Sequence, residues 1–130
     1  MSTAVLLETA APAFPSVDAL LREVRTTGIR IPYPPEVSDF LTRYPELNAL
    51  TRKVSEQAAA EFDGKAELSL ELYEDRETDD ATLTLYVRQS AYDEQAWEAI
   101  ERLRESYEDE LADSLGFLQV TLDFRATANR

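Results

Sequence analysis

The spacing of the hydrophobic residues changes near residue 65, from three or four positions to two. Before that point, apolar stripes at helical spacing predict one helix over 17–27 and a longer helical region over 35–62. Pro45 interrupts the second stripe, and a proline inside a helix removes a backbone donor and clashes with the preceding turn. We therefore expect either two helices in series in this region or one helix sharply kinked at Tyr44–Pro45.

The limits of the first helix are marked by the residues on either side of it. Ser16 has the side chain of a helix N-cap, and Gly28 suits the position just after a helix C-terminus. The next stretch, "IRIPYPP", has three prolines within four residues. Such a stretch excludes a regular helix and predicts an extended connector.

Alternating apolar and polar residues predict two strands, "AELSLELY" and "ATLTLYVR", with an acidic stretch between them. This arrangement is typical of a β-hairpin. One face of the hairpin would carry the apolar side chains, Leu68, Leu70, Leu72, Leu83, Leu85 and Val87. A further alternating stretch, "FLQVTLDF", predicts a third strand.

Between the hairpin and the last strand, residues 92–115 return to helical spacing. Gly116 is expected to end this helix. We expect Trp97 and Tyr107 to pack in the core and not to line a ligand pocket, because both lie on the apolar stripe. The whole stripe consists of Ala96, Trp97, Ile100, Leu103, Tyr107, Leu111 and Leu115.

The element order α-α-α-β-β-α-β predicts a two-layer α+β domain, with helices packed on one face of a three-stranded, mainly antiparallel sheet. The last strand fits beside the first strand, in the order 2-1-3, or beside the second strand in a parallel pair; we favour the first arrangement. Residues 1–15 are expected to form a flexible arm, 16–125 a single domain and 126–130 a frayed tail. The edges of so small a sheet could also support a homo-oligomer.

The chain lacks cysteine and histidine and has a formal net charge of −13. It therefore has no disulfide, thiolate nucleophile or imidazole base, and no cofactor is expected. Residues 1–65 carry 9 acids and 7 bases, whereas residues 66–130 carry 17 acids and 6 bases. This acidic second half disfavours nucleic acid and anionic membranes. It is compatible with a basic protein partner, and equally with a role in solubility alone. With no secretory signal and no apolar run of membrane length, a cytoplasmic location is expected.

The acidic stretch between the two strands contains Glu74, Asp75, Glu77, Asp79 and Asp80. These carboxylates could ligate a divalent cation. However, the stretch has no glycine and is too short for an EF-hand loop. A solvated hairpin turn without a metal is therefore the favoured interpretation.

The polar face of the sheet is either an ordinary solvated face or a partner surface, since Tyr and Arg are favoured at interfaces. Glu71, Asp123 and Arg88 could approach one another across the strands. No nucleophile or phosphate-binding motif accompanies them, so no catalytic residue is predicted. The face is expected to present Glu67, Ser69, Glu71, Tyr73, Thr82, Thr84, Tyr86, Arg88, Gln119, Thr121 and Asp123. The predicted partner-binding residues, with the two tyrosines ranked above the acids, are Glu71, Tyr73, Glu74, Asp75, Asp79, Asp80, Tyr86 and Arg88.

Three segments carry a resemblance to known sequences: "IPYPPEVSDFLTRYPELNAL", "AELSLELYEDRETDDATLTLYVRQS" and "LQVTLDF". They resemble a family of small uncharacterised bacterial proteins with a "FL…PEL" helix, an acidic turn and a closing "L-D-F" strand. The resemblance implies a two-gene partnership of the toxin–antitoxin kind, without catalytic residues. We therefore expect a non-enzymatic, antitoxin-like or accessory subunit that binds a basic protein, such as a toxin. The alternative is a Mg²⁺-dependent carboxylate enzyme acting on a phosphate-containing substrate.

Overall fold

The computed structural model describes residues 16–75, 77–78, 80–89, 94–112 and 118–123. The predicted arm, the predicted tail, Asp79 and Gly116 lie outside these residues. The described helices are α1 (Val17–Thr26), α2 (Pro34–Arg43), a short 3₁₀ turn (Pro45–Leu47), α3 (Asn48–Glu61) and α4 (Glu94–Ala112). The described strands are β1 (Glu67–Asp75), β2 (Asp80–Arg88) and β3 (Leu118–Asp123). The predicted element order and the α+β class are confirmed.

The ends of the first three helices follow the local sequence. The Ser16 side chain accepts a hydrogen bond from the Ala19 N–H at 3.1 Å, which confirms Ser16 as the N-cap of α1. Gly28 has φ +96°, a left-handed conformation that favours glycine after a helix. Tyr44, with φ −123° and ψ 67°, separates α2 from the 3₁₀ turn that Pro45 opens. The prediction of two helices in series is therefore confirmed.

The strand order is β1-β2-β3, so the favoured order 2-1-3 is wrong. β2 pairs antiparallel with β1, and β3 pairs parallel with β2 from Leu83↔Leu118 to Arg88↔Asp123. The outer edge of β1 is already occupied, because the Arg30 N–H donates to the Leu68 carbonyl and the Arg30 carbonyl accepts from the Leu70 N–H. The connector before α2 thus takes the position that the last strand was expected to fill.

The helices and the inner face of the sheet enclose one hydrophobic core. Leu70, Leu83, Leu85 and Val87 point into it from the sheet, as their alternation predicts. Trp97 does not join the core: its exposed fraction is 41%. The core-facing side of α4 consists instead of Ala96, Ala99, Ile100, Leu103 and Tyr107, and Trp97 lies at the rim of that stripe. Within the described residues, no helix is long and apolar enough to cross a membrane.

Three polar contacts, one helical turn apart, join the solvent-side seam between α3 and α4. Lys53 Nζ contacts Glu110, Ser106 Oγ donates to Gln57 Oε1 at 3.2 Å, and Arg102 Nη2 donates to Glu61 Oε2 at 3.0 Å. The pairing of 53 with 110 and of 61 with 102 shows that the two helices run antiparallel.

Tyr107 connects α4 to β3. Burial raises the pKa of the Tyr107 phenol, although a hydrogen bond with the Val120 backbone lowers it in part. Val120 is in the middle of β3, so this contact joins α4 to the centre of that strand.

Because its folded-state pKa is raised, Tyr107 should make the protein less stable in alkali. An unfolded tyrosine ionises near pH 10, whereas folded Tyr107 still holds its proton there, so the unfolded state binds fewer protons and stability falls as pH rises. We expect wild type to lose up to about 1.4 kcal/mol per pH unit relative to Tyr107→Phe above pH 10. Urea unfolding of both proteins from pH 8 upwards measures this difference. Parallel stability curves would contradict the burial of this phenol.

Candidate functional site

The outer face of the sheet is more closely packed than its polar sequence predicts. Ser69 and Thr84, two small residues on this face, have exposed fractions of 1% and 0%. Longer neighbouring side chains extend over them: Ser69 Oγ donates to Glu71 Oε2 at 2.7 Å, and Gln119 Nε2 donates to Thr84 Oγ1 at 3.1 Å. Polar side chains therefore form an ordered layer over the sheet.

Arg88 organises this layer. Its Nη1 lies 3.1 Å from Glu71 Oε2, and its Nε donates to Asp123 Oδ2 at 2.9 Å. The guanidinium carbon is 5.0 Å from the centroid of the Tyr86 ring, so the side chain runs along the sheet over that ring. The exposed fractions of the Arg88, Glu71 and Asp123 side chains are 12%, 18% and 15%. The predicted approach of Glu71, Asp123 and Arg88 is thus confirmed.

The charge balance of this group limits the chemistry open to it. Burial lowers the pKa of Arg88, but the hydrogen bonds and charges of Asp123 and Glu71 outweigh burial and raise it overall. The guanidinium therefore stays charged and occupies one oxygen of each carboxylate. A pair of carboxylates held in this way is suited to organising a surface, and less to passing protons to a substrate.

Beside this group lies a shallow depression of about 500 Å³. Tyr73, with an exposed fraction of 49%, forms one part of its wall, and Tyr86 forms another. Two carboxylates and one guanidinium contribute a net charge of −1. We call this the outer-face depression; it is lined by Glu71, Tyr73, Tyr86, Gln119, Thr121, Leu122 and Asp123.

The acidic end of the hairpin lies beyond the depression. Asp75 and Asp80 are directly opposite each other in the β1–β2 register, a pairing of like charges that weakens a hairpin. The turn is held by local contacts instead: Asp75 Oδ1 accepts from the Glu77 N–H at 2.9 Å, and Thr78 Oγ1 from the Asp80 N–H at 3.4 Å. No group of three acidic side chains close enough to hold a metal ion occurs among the described residues.

The structure separates the predicted partner-binding residues into two groups. Glu71, Tyr73, Tyr86 and Arg88 lie in or beside the outer-face depression. Glu74, Asp75 and Asp80 lie at the hairpin end. Asp79 is outside the described residues.

Sequence reasoning left β3 out of the partner set, although Gln119, Thr121 and Asp123 complete the wall of the depression. A signal for them was present. These three residues occupy the alternate, outward positions of "LQVTLDF", the same positions that Tyr73 and Tyr86 hold on their strands. An outward-facing residue of β3 has to lie beside the outward-facing polar residues of the strand with which β3 pairs.

Two other hollows, of about 540 and 270 Å³, lie along the cleft between α3 and α4. Glu61, Lys65 and Arg102 line both of them. Arg102 is already paired with Glu61, and the walls are mostly exposed side chains. The outer-face depression has the better ordered walls, since its charged residues are held by one another.

Fold and site together define an acidic two-layer α+β protein with an ordered polar layer on its open sheet face. Comparison with known proteins finds no family model, no curated protein and no solved structure that matches the chain. The family resemblance drawn from the sequence therefore stays a prediction.

Proposed function

We propose that this protein is a non-enzymatic interaction module, an antitoxin-like or accessory subunit that binds a basic segment of another protein. The outer-face depression is the docking point, and the acidic hairpin end lies beside it. The net charge of −13 attracts such a partner over a distance and raises its rate of encounter.

One observation carries the proposal: half-exposed Tyr73 stands in the wall of a depression that also contains the carboxylates of Glu71 and Asp123. An arginine or lysine side chain matches this chemistry. Its charged head can meet carboxylate and amide oxygens, and its cation can lie against an aromatic ring. Tyr and Arg side chains are also the types that most often dominate the energy of protein interfaces.

No observation favours the alternative of a Mg²⁺-dependent enzyme over this proposal. The described residues contain no cluster of three potential ligands, and the Glu71 and Asp123 carboxylates are bridged by Arg88. A cation that needs several oxygen ligands would have to displace that guanidinium.

Co-purification with the product of a neighbouring gene tests the proposal, with the affinity of the complex measured by calorimetry. We expect Tyr73→Ser and Thr121→Arg to weaken binding at least tenfold, because one removes the aromatic wall and the other places a cation in the depression.

Matched controls make the same chemical changes elsewhere. Tyr33→Ser alters another exposed tyrosine, and Thr42→Arg adds the same cation to the exposed side of α2. Both should bind within about twofold of wild type. The absence of any complex would refute the antitoxin-like role, and equal loss in test and control variants would refute this docking point.

A further inference from the structure

The free side of α4 carries an exposed aromatic residue that the proposed function does not use. Trp97 is the only tryptophan in the chain, and its exposed fraction is 41%. The guanidinium carbon of Arg104 lies 5.9 Å from the centre of its ring. Arg104 also pairs with Glu101, with Nη1 3.4 Å from Oε2. Trp97 is thus presented at the surface in a defined setting.

The contacts of α4 show which of its sides are in use. Ile100, Leu103 and Tyr107 face the core, while Arg102 and Ser106 contact α3. At 100° per residue, Trp97 and Arg104 fall about half a turn away from the side that meets α3. They therefore belong to a side of α4 that contacts neither α3 nor the core.

The charge of this free side is strongly negative. α4 contains seven acids and two arginines, and Arg102 already pairs with Glu61. Glu94, Glu105 and Glu108 are exposed, and together with Glu101 they lie on the same side of the helix as Trp97 and Arg104. Four carboxylates against one guanidinium repel a second copy of the same surface and attract a cationic one.

We propose that the free side of α4 is a second docking surface, which takes an arginine-rich segment of a partner protein. Trp97 is the anchor: an incoming arginine stacks on its ring while the surrounding carboxylates accept the guanidinium hydrogen bonds. Arginine is preferred to lysine here because a planar guanidinium stacks on an indole and an ammonium does not.

This surface is in the helix layer, on the opposite side of the sheet from the outer-face depression. The two sites can therefore be occupied independently. A long basic partner that passed around the domain could contact both, which would raise its overall affinity without any new contact.

Because Trp97 is the only tryptophan, its fluorescence reports on this surface directly. We expect a nona-arginine peptide to change the Trp97 emission saturably, and to bind at least threefold more tightly than nona-lysine. Nona-glutamate should leave the emission unchanged, and added salt should weaken the arginine complex.

Paired variants separate this surface from general attraction to an acidic protein. Glu94→Gln with Glu105→Gln should weaken nona-arginine binding at least fivefold, whereas Glu74→Gln with Glu77→Gln, which removes the same charge at the hairpin end, should change it less than twofold. Circular dichroism checks that each variant is folded. Equal weakening in both pairs, or no change in Trp97 emission on binding, would overturn the proposal, and equal affinity for the two basic peptides would overturn the stacking role of Trp97.

The outcome is independent of the proposed function. Thr121→Arg alters the outer-face depression and should leave the Trp97 response to nona-arginine unchanged. Loss of that response in Thr121→Arg would place the peptide on the sheet face and overturn the assignment to α4.

Discussion

Replacing Arg88 with methionine should lower the free energy of unfolding by about 1–3 kcal/mol, because two largely buried carboxylates lose their cation. Glu71 would keep its hydrogen bond from Ser69. The carboxylates are not fully buried, so water can reach them in part, and the loss is smaller than for a completely enclosed ion pair. Urea unfolding at neutral pH measures the change.

Two further variants identify the cause of this loss. Arg88→Lys keeps the charge, but its single ammonium cannot reach both carboxylates as the guanidinium does, so an intermediate loss is expected. Adding Glu71→Gln and Asp123→Asn to Arg88→Met removes the unpaired charges and should recover part of the stability. If Arg88→Met unfolded within about 0.5 kcal/mol of wild type, the polar layer would not depend on this cation.

Leu85→Ala should be the most damaging single truncation in the sheet, at about 2–5 kcal/mol. Leu85 has an exposed fraction of 1% and lies on β2, which has β1 on one side and β3 on the other. The change would leave a cavity surrounded by neighbouring strands and helices. These elements are closely packed and cannot easily move in to fill it. Denaturant unfolding measures the loss of stability, and the m-value should be the same as in wild type.

Leu72→Ala is the matched control, since it removes the same atoms from a partly buried position near the hairpin end of β1. We expect it to cost less than half as much. Amide hydrogen exchange adds a second measure: the β2 amides should be the slowest of the three strands, because β2 is paired on both sides. Equal losses for Leu85→Ala and Leu72→Ala would contradict the central position of β2.

Local chemistry made the helices and strands predictable, while the pairing of distant segments did not. Ser16, Gly28 and Pro45 influence the backbone only within about one helical turn. The sequence therefore predicted where the first helix begins and ends and where the second one ends. The position of β3 depended on what covered β1. A single residue, Arg30, occupies that edge through two backbone hydrogen bonds. Because the contact involves only the backbone, no pattern of side chains in the sequence predicts it.

Trp97 shows the limit of reading burial from hydrophobicity alone. It lies next to the apolar stripe of α4, and a tryptophan at the rim of a stripe resembles one inside it. Ala99, an unremarkable small residue, occupies the core position instead. The outer sheet face was easier to predict, since alternation alone placed Tyr73, Tyr86 and Arg88 on one face. The pairing of Arg88 with two carboxylates required side-chain coordinates.

The polar seam between α3 and α4 has a consequence for the uniqueness of the fold. An apolar helix interface tolerates a slip of one turn, because leucines and alanines can repack. Here a slip of four residues along α4 would place Glu61 opposite Glu98, setting two carboxylates against each other where Glu61 now meets Arg102. The seam thus disfavours this alternative alignment of the two helices, and it favours the native one through charge pairing in addition to packing.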